Sequence, residues 1–170
     1  LSLHDALPIS GTGASRILLA GLGKVEELDK KNLELLGAQI AAKLLAGGDA
    51  AASLAIDPPK GSKIKNGQFA AHLAFGARLR SYRFNLYRTK NLDEYETKFT
   101  SLRVMTSEAA AAKKAYAERD ALADGVFFAR DLVNEPPNIL YPAEFARRVK
   151  AKLGKLGVKV EILGEAEMKK

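Results

Sequence analysis

At 170 residues, with 47% hydrophobic and 28% charged side chains, the chain suits one soluble globular domain, or one domain and a piece of another, and not a disordered segment. No run approaches the ~18 apolar residues of a membrane span, and with no cysteine in the sequence neither disulfides nor thiolate metal sites are open to it. The net charge of +7 is concentrated: −2 over residues 1–59, +8 over 60–119 and +1 over 120–170.

Residues 1–10 lack an initiating Met and a positive stretch, so they make no secretory signal. The string LSLHDALPIS resembles translated sequencing-adapter sequence and is set apart as a leader, and the chain is expected to begin inside a domain whose first strands it lacks. Ile17 to Ala20, closed by Gly21-Leu-Gly23, predicts a buried strand and a turn. Asp29 is placed to cap a helix whose apolar stripe is Leu33, Leu36, Ile40 and Leu44, and which Gly47-Gly48 ends. Ala51 to Ile56 predicts the next strand, so that strand, helix and strand form a right-handed parallel crossover. Residues 67–80 predict an alanine-rich helix with Phe69, Leu73 and Gly76 on or near one face. Arg83 to Lys98 lacks periodicity, and Phe99 to Met105 predicts a strand with Leu102 and Val104 inward and Ser101 and Arg103 outward.

Ser107, followed by Glu108, predicts the start of a helix running to about Asn134, packed through Leu122, Val126, Ala129 and Val133. Pro136 and Pro137 lack amide donors and push the preceding residues out of the α region, so this helix ends near Glu135. Pro142 suits the first turn of a new helix with Phe145, Val149 and Leu153 spaced by four. Val158-Lys-Val-Glu-Ile162 alternates and predicts a further strand. The alternation of strands and helices predicts an α/β fold.

The ordered string ARDLVNEPPN, a proline-started helix and then GVKVEILGEAEM resemble the threshold of the catalytic domain in the leucyl aminopeptidase (M17) family. Upstream, Arg16 to Lys24, the helix after it and Tyr82-Arg-Phe84 extend the resemblance over about residues 16–170, less specifically. Tyr141 departs from it, standing where relatives often carry a Ser or Thr cap, a loss of about 1 kcal/mol. Relatives also carry a loosely similar leucine- and His-Asp-containing segment before the first strand. The resemblance implies an α/β fold: a macro-like αβα N-terminal domain, possibly without its first strands, over residues 11–134 with the connecting helix, and the first helix and strand of an α/β peptidase domain over 135–170. It implies a cytoplasmic homo-hexamer that hydrolyses N-terminal amino acids from peptides with two divalent ions, manganese or zinc. Two such ions polarise the scissile carbonyl and lower the pKa of the attacking water. The family's metal ligands, catalytic lysine and arginine-containing motif correspond to nothing up to Lys170. No catalytic, cofactor-binding or metal residue is therefore assigned in this chain, and the chain alone is expected to be inactive.

Other chemistry is weakly signalled. Gly21-Leu-Gly-Lys24 lacks the Gly at Glu26 of a dinucleotide fingerprint and the longer loop of a P-loop, leaving a strand-ending turn. His4 lies in the leader and His72 in a helix, where a hydrogen-bonded, partly buried histidine is expected. Glu26 with Glu27, and Asp93 with Glu94 and Glu96, are expected to be solvated, as are Lys113 and Lys114. Arg130 and Asp131 are candidates for domain docking, although neighbours on a helix do not face each other. Asn134, Glu135 and Asn138 are expected to cap and turn the chain. Lys60, Lys63, Lys65, Arg78, Arg80, Arg83, Arg88 and Lys90, with Tyr82, Phe84 and Tyr87 between them, offer the alternative of a basic module that binds nucleic acid or a phosphorylated ligand.

Overall fold

The computed structural model describes residues 16–90 and 96–169 and, for their backbone, residues 2–6. It divides into two units, residues 1–127 and 128–170.

In the first unit β1 (Ser2–Ala6) pairs antiparallel with β2 (Ile17–Gly21), Ser2 opposite Gly21 and Ala6 opposite Ile17. Gly23, at φ 75°, takes the left-handed turn that a Cβ would disfavour, and a 3-10 turn (Val25–Glu27) leads to α1 (Lys30–Leu45). Asp29 caps α1, its carboxylate accepting from the Asn32 amide at 2.7 Å. β3 (Ala51–Ala55) and β4 (Ser101–Met105) form a parallel pair joined through α2 (Asn66–Ser81). α3 (Ala109–Asn134) follows and crosses the boundary between the units.

The expected stripe of α1 is the core: Leu33, Leu36, Ile40 and Leu44 are buried with Phe69 and Leu73 of α2. Full burial of each such side chain stabilises by roughly 1.5–3 kcal/mol. The two helices meet on bare backbone. A Cβ at Gly37 would overlap the Leu73 carbonyl, and one at Gly76 the Glu34 carbonyl.

Three expectations for the chain before the double proline change. The crossover through α1 does not join hydrogen-bonded neighbours: β2 and β3 belong to separate two-stranded sheets, and the parallel pair is β3 with β4. The packing stripe of α3 is also displaced, because Leu122 is 57% and Val133 84% exposed while Ala123 is buried. Its inward face carries Arg119 and Asp120, held by polar partners on α2, and hydrophobic periodicity is blind to a face built that way. The α3 start falls at Ala109, where Thr106 Oγ1 rather than Ser107 accepts an amide, that of Glu108, at 3.3 Å.

In the second unit the end of α3 leads to the double proline, where the amides of Ile139 and Leu140 both donate to the Pro136 carbonyl at 2.9 Å. α4 (Pro142–Gly154) begins on its proline as expected, and a short helix α5 (Glu165–Met168) closes the described chain. Val158–Ile162 forms no strand. Alternation supplies only one side of a ladder, and no partner strand pairs with it among the described residues.

Candidate functional site

Among the described residues His72 is the one buried polar residue, 4% exposed, and three helices converge on it. Its Nδ1 lies 2.7 Å from Glu34 Oε1 of α1, and its Nε2 lies 2.7 Å from Arg119 Nη2 of α3. Arg119 Nε also lies 3.4 Å from Nδ1, but the two short contacts set the tautomer: a guanidinium only donates, so Nε2 accepts, and the Nδ1 proton is donated to Glu34. Arg119 is held in turn by the Gln68 side-chain oxygen at 2.9 Å and the Ala115 carbonyl at 2.6 Å. Burial holds His72 below its ordinary 6.5; the Glu34 hydrogen bond opposes that shift, and the Arg119 charge adds to it. The residue is a satisfied histidine, and what the sequence concealed is the pair of charges that satisfies it.

Arg78, counted with the basic stretch, is withdrawn from it: it pairs with Asp120 and, at 2.6 Å, with Asp124, beneath the Phe127 ring. Tyr82 packs on the same ring at 5.2 Å between centroids. The remaining basic residues divide. Lys60, Lys63 and Lys65 precede α2, and Arg80, Arg83, Arg88 and Lys90 lie at or beyond its last turn. Sixteen helical residues put about 24 Å between the groups, so sequence proximity does not make one continuous face.

The acidic candidates stay dispersed. Glu27 makes a loose, exposed contact with Lys24 at 3.9 Å, Glu96 is exposed, and Asp93 and Glu94 lie outside the described residues, as does the side chain of His4. Lys113 and Lys114 are exposed. Among the described residues, no three His, Cys, Asp or Glu side chains gather closely enough to hold a metal ion.

Among the described residues of the first unit, two cavities stand out. One, of about 690 Å³, runs between α2, β4 and the start of α3 over Ala70, Ala71, Ala74 and Ala77. Three of its hydroxyls donate to backbone carbonyls, Ser81 to Arg78 at 2.7 Å, Thr97 to Leu45 at 3.3 Å and Thr100 to Ala50 at 3.3 Å. The other, of about 720 Å³, lies between β2 and β3. Consecutive residues of both strands line it, 17–20 and 51–55, with Leu36, Ile40, Phe69 and Leu73 beneath. A cavity over the face of a sheet would touch alternate residues, so this one is an in-plane slot between two strand edges. Arg16 and Asp49, which precede the two strands, pair at 2.8 Å across its end.

In the second unit Asn134 caps as expected, its side-chain amide donating to the Arg130 carbonyl at 2.8 Å. Arg148 joins Glu135 at 2.5 Å to Glu144 at 2.7 Å, and Arg147 grips Glu144 from the other side at 2.6 Å. The hydrogen bonds from Arg147 and then Arg148 hold the Glu144 carboxyl down at about 2. The i,i+3 and i,i+4 spacing of Glu144, Arg147 and Arg148 is a signal the sequence reading missed, whereas the tie back to Glu135 across the prolines leaves no such signal.

The profile of the cytosol aminopeptidase family, N-terminal domain, matches residues 2–91. A probable cytosol aminopeptidase of Rhodopseudomonas palustris (strain BisA53) is 45% identical over 166 residues, which are 98% of this chain and 32% of that protein. One from Bradyrhizobium sp. (strain BTAi1 / ATCC BAA-1182) has the same identity and coverage, so the chain spans about a third of the length of the curated relatives it matches. Among solved structures, a bottromycin maturation enzyme in complex with Mn superposes with a TM-score of 0.78 at 24% identity, over 99% of this chain and 33% of that one. A tomato leucine aminopeptidase mutant gives 0.78 at 22% identity, over 99% and 32%.

Proposed function

Because this chain belongs to the cytosol aminopeptidase family, through the N-terminal domain of that family, we propose that it is the accessory part of a metal-dependent enzyme that removes N-terminal amino acids from peptides. The observation that carries this reading is the alignment of nearly the whole chain with only a third of each curated relative. The catalytic work is assigned to residues outside these 170, and the chain alone is inactive. Its described side chains do not fit a metal centre. Two divalent ions, manganese or zinc, a hexameric assembly and a cytoplasmic site belong to the whole enzyme in this proposal.

The surface of the second unit supports the same reading. Phe145, Leu156, Val158, Ile162, Leu163 and Met168 are each between 44% and 69% exposed, an apolar surface suited to cover by further chain. We place the domain junction at residues 134–135, where α3 gives way to the prolines. The pairing of Ser2–Ala6 with β2, and a family match that begins at residue 2, favour residues 1–10 as part of the domain over the adapter alternative. The slot between β2 and β3 is read as the seat of one further strand of the domain, which needs about 9.5 Å between its flanking neighbours.

The test is hydrolysis of leucine p-nitroanilide with added manganese by the purified 170-residue chain. No turnover is expected, whereas a full-length relative assayed beside it is expected to be active. Turnover by the chain itself would overturn the proposal.

A further inference from the structure

We propose that His72 is a proton-operated latch that fastens the α3 segment to the α1–α2 pair: neutral, it bridges Glu34 to Arg119; protonated, it expels Arg119 and loosens α3. The inference is independent of the aminopeptidase reading and rests on the convergence of three helices at one imidazole.

In the neutral ring Nδ1 donates to Glu34 and Nε2 accepts from Arg119 Nη2, both at 2.7 Å, and Arg119 Nε lies at the longer distance of 3.4 Å from Nδ1. A second ring proton can only go to Nε2. There it would point at a guanidinium that has no lone pair to receive it. The charged groups facing the ring are Glu34 and Lys30 from α1 and Arg119 from α3, while Gln68 of α2 supplies a neutral oxygen to Arg119. Glu34 favours a charged ring; burial, Arg119 and Lys30 oppose it. At 4% exposure the imidazolium has no water to turn to, so the contact that yields is the one to Arg119; α3 is also held to α2 by Ala111 packed against Gly67 and, just before its start, by Glu108 accepting from the Gly67 amide at 3.2 Å. The sign follows: the latch is closed above 6.5 and opens as pH falls through the lower folded value.

The test is a pH titration of the full chain by NMR, following the His72 ring and the hydrogen-exchange protection of α3 amides 112–126. Expected are the Nδ1–H tautomer at pH 8, a midpoint below 6.5, and protection of α3 lost across that same midpoint while α1 keeps its own. His72→Gln supplies a side-chain donor and acceptor but no titrating group, so α3 protection should no longer fall with acid. Arg119→Met removes the group the proton would meet, so the His72 midpoint should rise above that of the parent even if His72→Gln does not fold. A parent midpoint at or above 6.5, an unmoved midpoint in Arg119→Met, or an acid loss of α3 protection that persists in a folded His72→Gln would each overturn the latch.

Discussion

The two units stabilise themselves by different physics. In the first, six large apolar side chains from two helices are buried together, and the helices touch through glycines. In the second, Leu132 is the one buried hydrophobic residue among the described residues, and order comes from local devices: a proline at the helix start, two amides on the Pro136 carbonyl, and an arginine held by two glutamates. Charge networks in a partly exposed setting add little stability compared with a core of that size. The second unit's corners are specified residue by residue, by devices that act within a few positions of one another.

That contrast can be broken most forcefully at Phe69, 1% exposed. Phe69→Ala should destabilise the first unit by about 3–5 kcal/mol in urea unfolding. A loss under about 1 kcal/mol would mean that the core is not what holds it. Next is Gly76→Ala, which drives a methyl group into the Glu34 carbonyl and should cost about 3 kcal/mol. Its control is Gly125→Ala in α3, where nothing lies within 4 Å of the new methyl and a gain of up to about 1 kcal/mol is expected. If the two glycines respond alike, close helix contact is not the cause.

The second unit should respond to small local changes instead. Tyr141 occupies the N-cap of α4 without a side-chain cap bond, so Tyr141→Ser should add about 1 kcal/mol to thermal stability. Smallest is the Glu144 clamp. Its carboxyl should titrate near 2 by carbon-detected NMR and move up toward 4.5 when Arg147 and Arg148 are both replaced by Met. Since the folded pKa is the lower one, the clamp's contribution is present above about 4.5 and lost as pH falls through about 2. An unshifted carboxylate would remove the clamp from the account of this unit.

Most of the first unit was legible in the sequence because its elements obey one rule each. Leu33, Leu36, Ile40 and Leu44 recur with the helix period, Asp29 stands at a cap, and Leu102 and Val104 alternate with exposed neighbours. What stayed hidden depends on two distant segments agreeing. The inward face of α3 follows from polar groups on α2, and the failure of Val158–Ile162 to become a strand follows from the lack of a neighbour among the described residues. The site reasoning divides the same way: His72 was legible as a satisfied core residue, whereas its partners at sequence separations of 38 and 47 were not. The basic stretch misled in the opposite sense, since residues close in sequence are parted by a whole helix and Arg78 is consumed by two aspartates.

The slot between β2 and β3 also has a bearing on how the chain behaves in company. Each flanking edge presents backbone donors and acceptors with no strand beside them among the described residues, over a greasy floor of Leu36, Ile40 and Phe69. Such edges are templates for any extended polypeptide that comes near. At high concentration the earliest self-association should start there, with one molecule lending a strand to another, and a short strand-mimicking peptide should act as a solubiliser by occupying the gap first.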